Sequence, residues 1–326
     1  MSRASRRAWV VAPLLAALPL WRGSLQAKTG WPTQPVKLVV PTAPGSGSDV
    51  IARGVSGFLA RELGQAVIVD NRPGGGGIIA HDSVLRPPLD GHTFLLSSTS
   101  AFFVVPLVNT AARYRYTDFV PVAAVGRAPF AVLVSTAPAS PKTLGELIDS
   151  LRAKPQSFSS SGIGALTHLG SEYLIRLAGV RATHIPYRGS GQSLADVIGG
   201  QVSFSTDSLT AAMPLIRTGR LRALAVLSMR REASLPDVPT SAEAGYPDLQ
   251  VAALAGIFAP KGTSSVALEK VSAAAAKSLM DPEVLHHLAT QETDPLAVSP
   301  AEFDKMMRDD APRWERVVKR VGVIAS

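Results

Sequence analysis

Residues Val36–Asp49, VKLVVPTAPGSGSD, carry a short apolar strand into a loop of small residues that opens a helix. The loop, Pro44-Gly45-Ser46-Gly47-Ser48, has almost no side chain with which to do chemistry. It does bare backbone N–H groups beside a helix N-terminus, where the macrodipole favours negative charge. This is the equipment of an anion cradle, suited to holding a carboxylate or phosphate rather than transforming it. Taken alone, the same residues also describe an ordinary strand-to-helix turn with Ser48 or Asp49 as N-cap.

Outward from this loop, β-rich apolar runs alternate with amphipathic stretches, the pattern of an α/β protein with a largely parallel sheet. Strands are predicted at Val36–Val40, Ala66–Asp70, Thr93–Ser97, Phe130–Ser135, Ala182–Tyr187, Val202–Thr206, Leu221–Leu227 and Val251–Phe258. A helix over Asp49–Leu63 puts Ile51, Val55, Phe58, Leu59 and Leu63 on one stripe and stops at Gly64. Gly54 and Gly57 within it cost about 0.5–1 kcal/mol each against alanine, which predicts close backbone packing there. Further helices are predicted at Leu144–Ala153, Leu166–Ala178, Leu194–Gly199 and Val266–Leu279. The spacing of Phe303, Met306, Met307, Trp314, Val317 and Val318 predicts a C-terminal helix that Pro312 kinks or splits. Val120–Ser135 reads as a long strand passing between two lobes and Val226–Pro239 as the return crossing, with residues 28–125 plus 229–326 forming lobe 1 and 126–228 forming lobe 2.

A chain of 326 residues that is 46% hydrophobic exceeds the size at which single cores split into domains. Charged residues make up 18% with no long like-charge run, which argues against disorder. Residues 1–27 read as an export signal: Arg3, Arg6 and Arg7 precede the apolar run Ala8–Leu20, and Ala27 offers a small residue for cleavage. That run, interrupted by Pro13 and Pro19, is too short to span a bilayer. Ser5-Arg6-Arg7-Ala8 suits a twin-arginine route as well as the general secretory one. Losing this segment removes Arg3, Arg6, Arg7 and Arg22 and lowers the formal charge from +8 to about +4, an excess that suits small anions and argues against nucleic acid. The chain has no cysteine, which excludes disulfides, thiol catalysis and thiolate metal sites.

Other catalytic signatures are missing. The six histidines, His81, His92, His168, His184, His286 and His287, form no metal-binding spacing. There is no G-x-S-x-G elbow, S-x-x-K pair or Walker loop. Gly75–Ala80 matches G-x-G-x-x-A, but the next strand ends in Leu96-Ser97-Ser98 where a ribose-binding acid is needed, so the run reads as a turn. No catalytic residue, metal site or cofactor is predicted.

A second cradle lies at Ser159–His168, SSSGIGALTH, again after a β-prone segment and at the opening of a helix, with Ser161 or a neighbour placed to cap it. Two such loops in different lobes predict a grip on opposite ends of one small anion. Charge-assisted hydrogen bonds contribute about 1.5–3 kcal/mol each, and micromolar affinity corresponds to about −8 kcal/mol. A handful of N–H donors suffices.

Taken in order, WPTQPVKLVVPTAPGSGSDVIAR, LGQAVIVDNRPGGGG, DGHTFLLSSTS, SSGIGALTHLGSEYL, HIPYRGSGQSLADVIGGQV, GRLRALAVLS and LPDVPTSAEAGYP resemble the substrate-binding proteins of tripartite tricarboxylate transporters, the Bug or TctC-like receptors. The resemblance implies a type II periplasmic-binding-protein fold: two α/β lobes, each with a mixed, mostly parallel sheet flanked by helices, closing like a flytrap on a small carboxylate. It also implies a monomeric periplasmic receptor without cofactor, binding a dicarboxylate, amino acid or aromatic acid and handing it to the membrane permease subunits. The ligand-binding residues it implies are Ala43, Pro44, Gly45, Ser46, Gly47, Ser48 and Asp49 in the first cradle and Ser161, Gly162, Gly164, Ala165 and His168 in the second. Ser98, Ala101 and Asp207 complete the set, Asp207 reading equally as a helix N-cap. Ser46 stands where a second glycine is common, and Thr42 where an aromatic residue is frequent. The same fold also serves a ligand sensor for a membrane signalling partner. An α/β enzyme acting on an anionic metabolite is the remaining alternative, and the lack of a nucleophile or a paired acid and base counts against it.

Overall fold

The computed structural model describes residues 30–86 and 88–322, so the expected export signal lies outside the described residues. The strand of the opening segment, β1 (Val36–Val40), turns all but Lys37 inward and leads into α1 (Gly47–Leu63). There follow β2 (Val67–Asn71), α2 (Ile78–Val84), β3 (Thr93–Ser98), and the short helices α3 (Thr99–Phe103) and α4 (Val105–Val108). The long β4 (Phe119–Ser135) leads to α5 (Leu144–Ala153), β5 (Ser157–Ser160), α6 (Leu166–Ala178), β6 (Thr183–Pro186), α7 (Ser190–Ile198), β7 (Phe204–Ser208), α8 (Leu209–Arg217) and β8 (Leu221–Val226). The chain ends in β9 (Ala252–Pro260), α9 (Ser265–Ser278), α10 (Pro282–Thr290), β10 (Asp294–Pro295) and α11 (Pro300–Val321).

Strand β4 belongs to both lobes. Its first part, Phe119–Pro129, pairs antiparallel with β9, which continues through β3 and β1 to β2. Its second part pairs antiparallel with β7 and β8, and β7 continues through β5 to β6. Among the described strands, parallel ladders join β2-β1-β3 and β7-β5-β6, a smaller share than expected. The reason is topological: the chain leaves the first lobe along β4 and returns along β9, so the crossing strands run in opposite directions. The second crossing begins at Ala252, opposite Pro129, rather than over Val226–Pro239. Tyr246 and Leu249, beyond that expected crossing, still pack on the second lobe's core.

Each sheet is covered on both faces. In the first lobe, Leu38 and Val40 pack with Ile51, Val55 and Leu59 of α1, Val271 of α9 and Leu288 of α10. The opposite face sets Val39 and Leu95 against Ile78, Phe102 and, from α11, Phe303 and Met307. In the second lobe, Phe158 and Phe204 pack with Leu147, Leu169 and Leu174, and with Trp314, Val317 and Val318 of α11. Ala131 and Leu133 meet Leu194, Val197, Leu209 and Met213 on the other face. Each fully buried side chain of this kind stabilises by about 1.5–3 kcal/mol.

Because α11 packs on both lobes, it runs through Pro312 as one 22-residue helix and is not split there. The expected close packing in α1 holds at Gly54, where a Cβ would lie 2.0 Å from the His287 ring, whose Nε2 meets the Val50 carbonyl at 2.7 Å. Gly57 faces open space instead.

Candidate ligand-binding site

The first cradle is a loop clamped from within. The helix starts at Gly47, earlier than expected, so Ser46 is its N-cap and not Ser48 or Asp49: Ser46 Oγ accepts from the Asp49 N–H at 3.3 Å. Asp49 is buried and turned back on the loop. Its Oδ2 accepts from Gly45 N–H at 2.8 Å and Arg53 Nε at 3.0 Å, and its Oδ1 accepts from Asn71 Nδ2 at 2.9 Å. The Arg53 hydrogen bond holds this carboxyl below its ordinary range. Asp49 thus serves the shape of the loop, while Ala43, Pro44 and Gly45 stay exposed. The N–H groups of Gly47 and Ser48 find no acceptor among the described residues.

The second cradle is built differently. Helix α6 begins after Ala165, which has no side-chain acceptor, so neither Ser161 nor a neighbour caps it as expected. Ser161 is engaged elsewhere, its N–H donating to Thr167 Oγ1 at 2.9 Å and its Oγ lying 2.8 Å from the same hydroxyl. Gly162 N–H donates to Ser160 Oγ at 3.2 Å and Gly164 N–H to His168 Nδ1 at 3.1 Å. The N–H groups of Leu166, Thr167 and His168 are left without acceptors among the described residues. Behind the loop the His168 and His184 rings stack with centroids 3.7 Å apart and a 9° tilt, and Phe158 stacks on His184 at 4.9 Å. Burial pushes both imidazoles down to about 4, so they are neutral at ordinary pH.

Both cradles border the seam between the lobes. A Cβ on Gly164, whose φ is +75°, would lie 2.5 Å from Val108 Cγ2 of α4. One on Gly47 would lie 3.3 Å from Thr210 Cγ2 of α8. Ser98 precedes the first turn of α3, and Ala101 within that helix is buried, its carbonyl accepting from Tyr114 Oη at 2.6 Å. Asp207 is the penultimate residue of β7 and directly precedes the N-cap of α8, which is Ser208 and not Asp207 itself. It is 1% exposed, its Oδ1 accepts from Ser190 Oγ at 2.9 Å and Ser208 N–H at 2.8 Å, and its Oδ2 has no partner among the described residues. Burial pushes this carboxyl up to about 6.

Sequence reasoning missed Asn71, His184, Val108 and Thr210, whose roles depend on residues distant along the chain. Only Thr210, just beyond a strand-to-helix junction, carries a local signal.

The arrangement is equipped to hold an anion through backbone donors at two helix N-termini. Ser97 Oγ does lie 3.0 Å from His81 Nε2. That pair is buried, the ring stacks on Tyr114 at 4.3 Å, and burial lowers its pKa to about 4, which describes a core contact rather than a nucleophile with its base. A surface cavity of about 930 Å³ beside Arg152, Lys154, Glu172, Arg176 and Arg181 lies at the C-terminal ends of α5 and α6, away from the cradles. Among the described residues no helix is long and apolar enough to cross a membrane, and no group of side chains is placed to hold a metal ion.

The chain is similar to known proteins of one family. The model of the tripartite tricarboxylate transporter family receptor matches residues 51–323. The chain is 35% identical over 296 residues to the protein BugT of Bordetella pertussis, with 90% of each chain covered. A Rhodopseudomonas palustris protein solved with adipate is 31% identical, with a TM-score of 0.83 over 91% of this chain and all of the other. MatC from the same organism, solved with bound malate, is 30% identical, with a TM-score of 0.78 over 88% of this chain and all of the other. The periplasmic binding protein BugD is 30% identical and has a TM-score of 0.80 over 91% and 100%. With its two-lobed fold, paired helix N-termini and a match over most of its length, the chain belongs to the tripartite tricarboxylate transporter family receptors.

Proposed function

We propose that this protein is an exported periplasmic receptor that closes two lobes on a small carboxylate and delivers it to the permease of a tripartite tricarboxylate transporter, without chemical conversion. The observation that carries this reading is the pair of helix N-termini on the seam, one in each lobe, where the N–H groups of Gly47, Ser48, Leu166 and Thr167 have no acceptor among the described residues and can donate to an anion. Carboxylates bound to related proteins, adipate in one and malate in another, support the ligand class. The lobes meet along β4 and β9 and move about these strands as a monomer. Asp207 faces a second ligand group through its unpartnered Oδ2 and selects a hydroxyl or ammonium donor there, since a carboxylate beside a ligand anion otherwise repels it.

A thermal-shift screen of succinate, adipate, malate and glutamate tests this on the wild type and on Asp207→Asn, with stabilisation following RT ln(1 + [L]/Kd). The expected result is stabilisation by at least one of the four, with Asp207→Asn weakening malate and glutamate and sparing succinate and adipate. Turnover of any hit, or stabilisation by nucleotides alone, overturns the receptor reading. An equal loss for all four acids accompanied by a lower melting temperature makes Asp207 a framework residue.

A further inference from the structure

Helix α10 ends in an unusual way. Glu292 N–H donates to the Ala289 carbonyl and Thr293 N–H to the Leu288 carbonyl, both at 3.0 Å, the pattern of a Schellman motif. Its left-handed position is occupied by Glu292, at φ +49° the non-glycine residue with positive φ among those described. The first left-handed residue after α1, α6 and α11 is glycine in each case, Gly64, Gly179 and Gly322. Glycine fits such a position without strain, so a side chain kept there needs another use. Glu292 has one: its Oε1 meets Arg217 Nη2 at 2.8 Å, and its side chain is 7% exposed.

That contact joins two lobes. Helix α10 packs through Val284 and Leu288 into the first lobe's core with α1. Arg217 closes α8, which packs on β4, β7 and β8 in the second lobe. At the other end of α8, Thr210 Oγ1 donates to the Gln291 carbonyl at 2.6 Å, beside the Thr210 methyl that faces Gly47 of the first cradle. Helix α8 therefore grips the end of α10 at both of its own ends. We infer that Glu292 and Arg217 are positioning residues for lobe closure, a clasp that seats the start of α8 against the first cradle. This rests on the reading that the lobes close over a carboxylate, and it adds residues that touch no ligand.

The test compares wild type, Glu292→Gly and Arg217→Gln by small-angle scattering of the free proteins, thermal melting, and calorimetric titration with adipate and malate. Glu292→Gly is expected to melt no lower than wild type, because glycine relieves the left-handed backbone, yet to show a larger radius of gyration. Its affinity for the bound acid falls about two- to fivefold, the size of an exposed or half-exposed ion pair. Arg217→Gln is expected to give the same expansion and the same loss. Wild-type radius and affinity in both variants overturn the clasp, as does a lower melting temperature for Glu292→Gly with an unchanged radius. If wild type binds neither acid, the carboxylate reading fails on its own, and the radii of the free variants still decide the clasp.

Discussion

The loop before α1 and the loop before α6 both present helix N-terminal donors to the seam, yet they are braced by opposite means. In the first, an ionised side chain does the bracing: Asp49 collects hydrogen bonds from Gly45, Arg53 and Asn71, and Ser46 caps the helix. In the second, the brace is neutral: hydroxyls of Ser160 and Thr167 and an imidazole nitrogen of His168 accept from the loop, and stacked rings back it. The comparison teaches that an anion cradle can be preorganised with or without a buried charge. What the two share is a set of backbone N–H groups left unspent.

The largest expected effect separates the two by steric tolerance. Gly164→Val drives a side chain into Val108 on a left-handed backbone, costing about 1–3 kcal/mol for overpacking and about 1–3 kcal/mol for strain. Gly47→Ala meets Thr210 at 3.3 Å with ordinary backbone and is expected to cost under about 1 kcal/mol. Denaturant titration of both variants checks this, with adipate affinity falling at least about tenfold for Gly164→Val. Equal losses break the comparison.

Acid sharpens it next. His168 and His184 have folded values lowered from 6.5 to about 4, so the unfolded chain takes up protons first as pH falls. Their contribution to stability is present above about 6.5 and is lost as pH falls through about 4. Protonation also turns His168 Nδ1 from acceptor to donor and breaks its bond to Gly164. Asp49 has its value lowered below 3.8, so its contribution is present above 3.8 and lost only as pH falls through that lower folded value. Acid is therefore expected to loosen the second cradle before the first. Proton NMR titration of the imidazole signals checks it; midpoints near 6.5 contradict the buried stack.

The smallest effect concerns Ser46. Glycine is a tolerable N-cap, so Ser46→Gly is expected to cost only a few tenths of a kcal/mol and to leave adipate affinity within about twofold. Calorimetry beside Gly164→Val measures the contrast. A loss as large as that of Gly164→Val means that the Ser46 hydroxyl itself reaches the ligand.

The sequence by itself determined the lobed α/β class and the place of both strand-to-helix loops. Strand β1, helix α5 and helix α6 have their predicted limits, because apolar periodicity and the flanking small residues are local signals. It also marked the family, through ordered fragments spread over the chain. Tertiary structure decided which loop groups are already hydrogen-bonded within the protein. Asp49 reads as a ligand contact until Arg53 and Asn71, from the next turn and the next strand, take up its oxygens. His168 reads likewise until His184, brought alongside by the parallel pairing of β5 and β6, stacks on it. The return crossing at β9, the unbroken helix through Pro312 and the clasp at Glu292 were hidden for the same reason. Each depends on a partner far along the chain, and propensity and spacing report only what a residue's neighbours in sequence make of it.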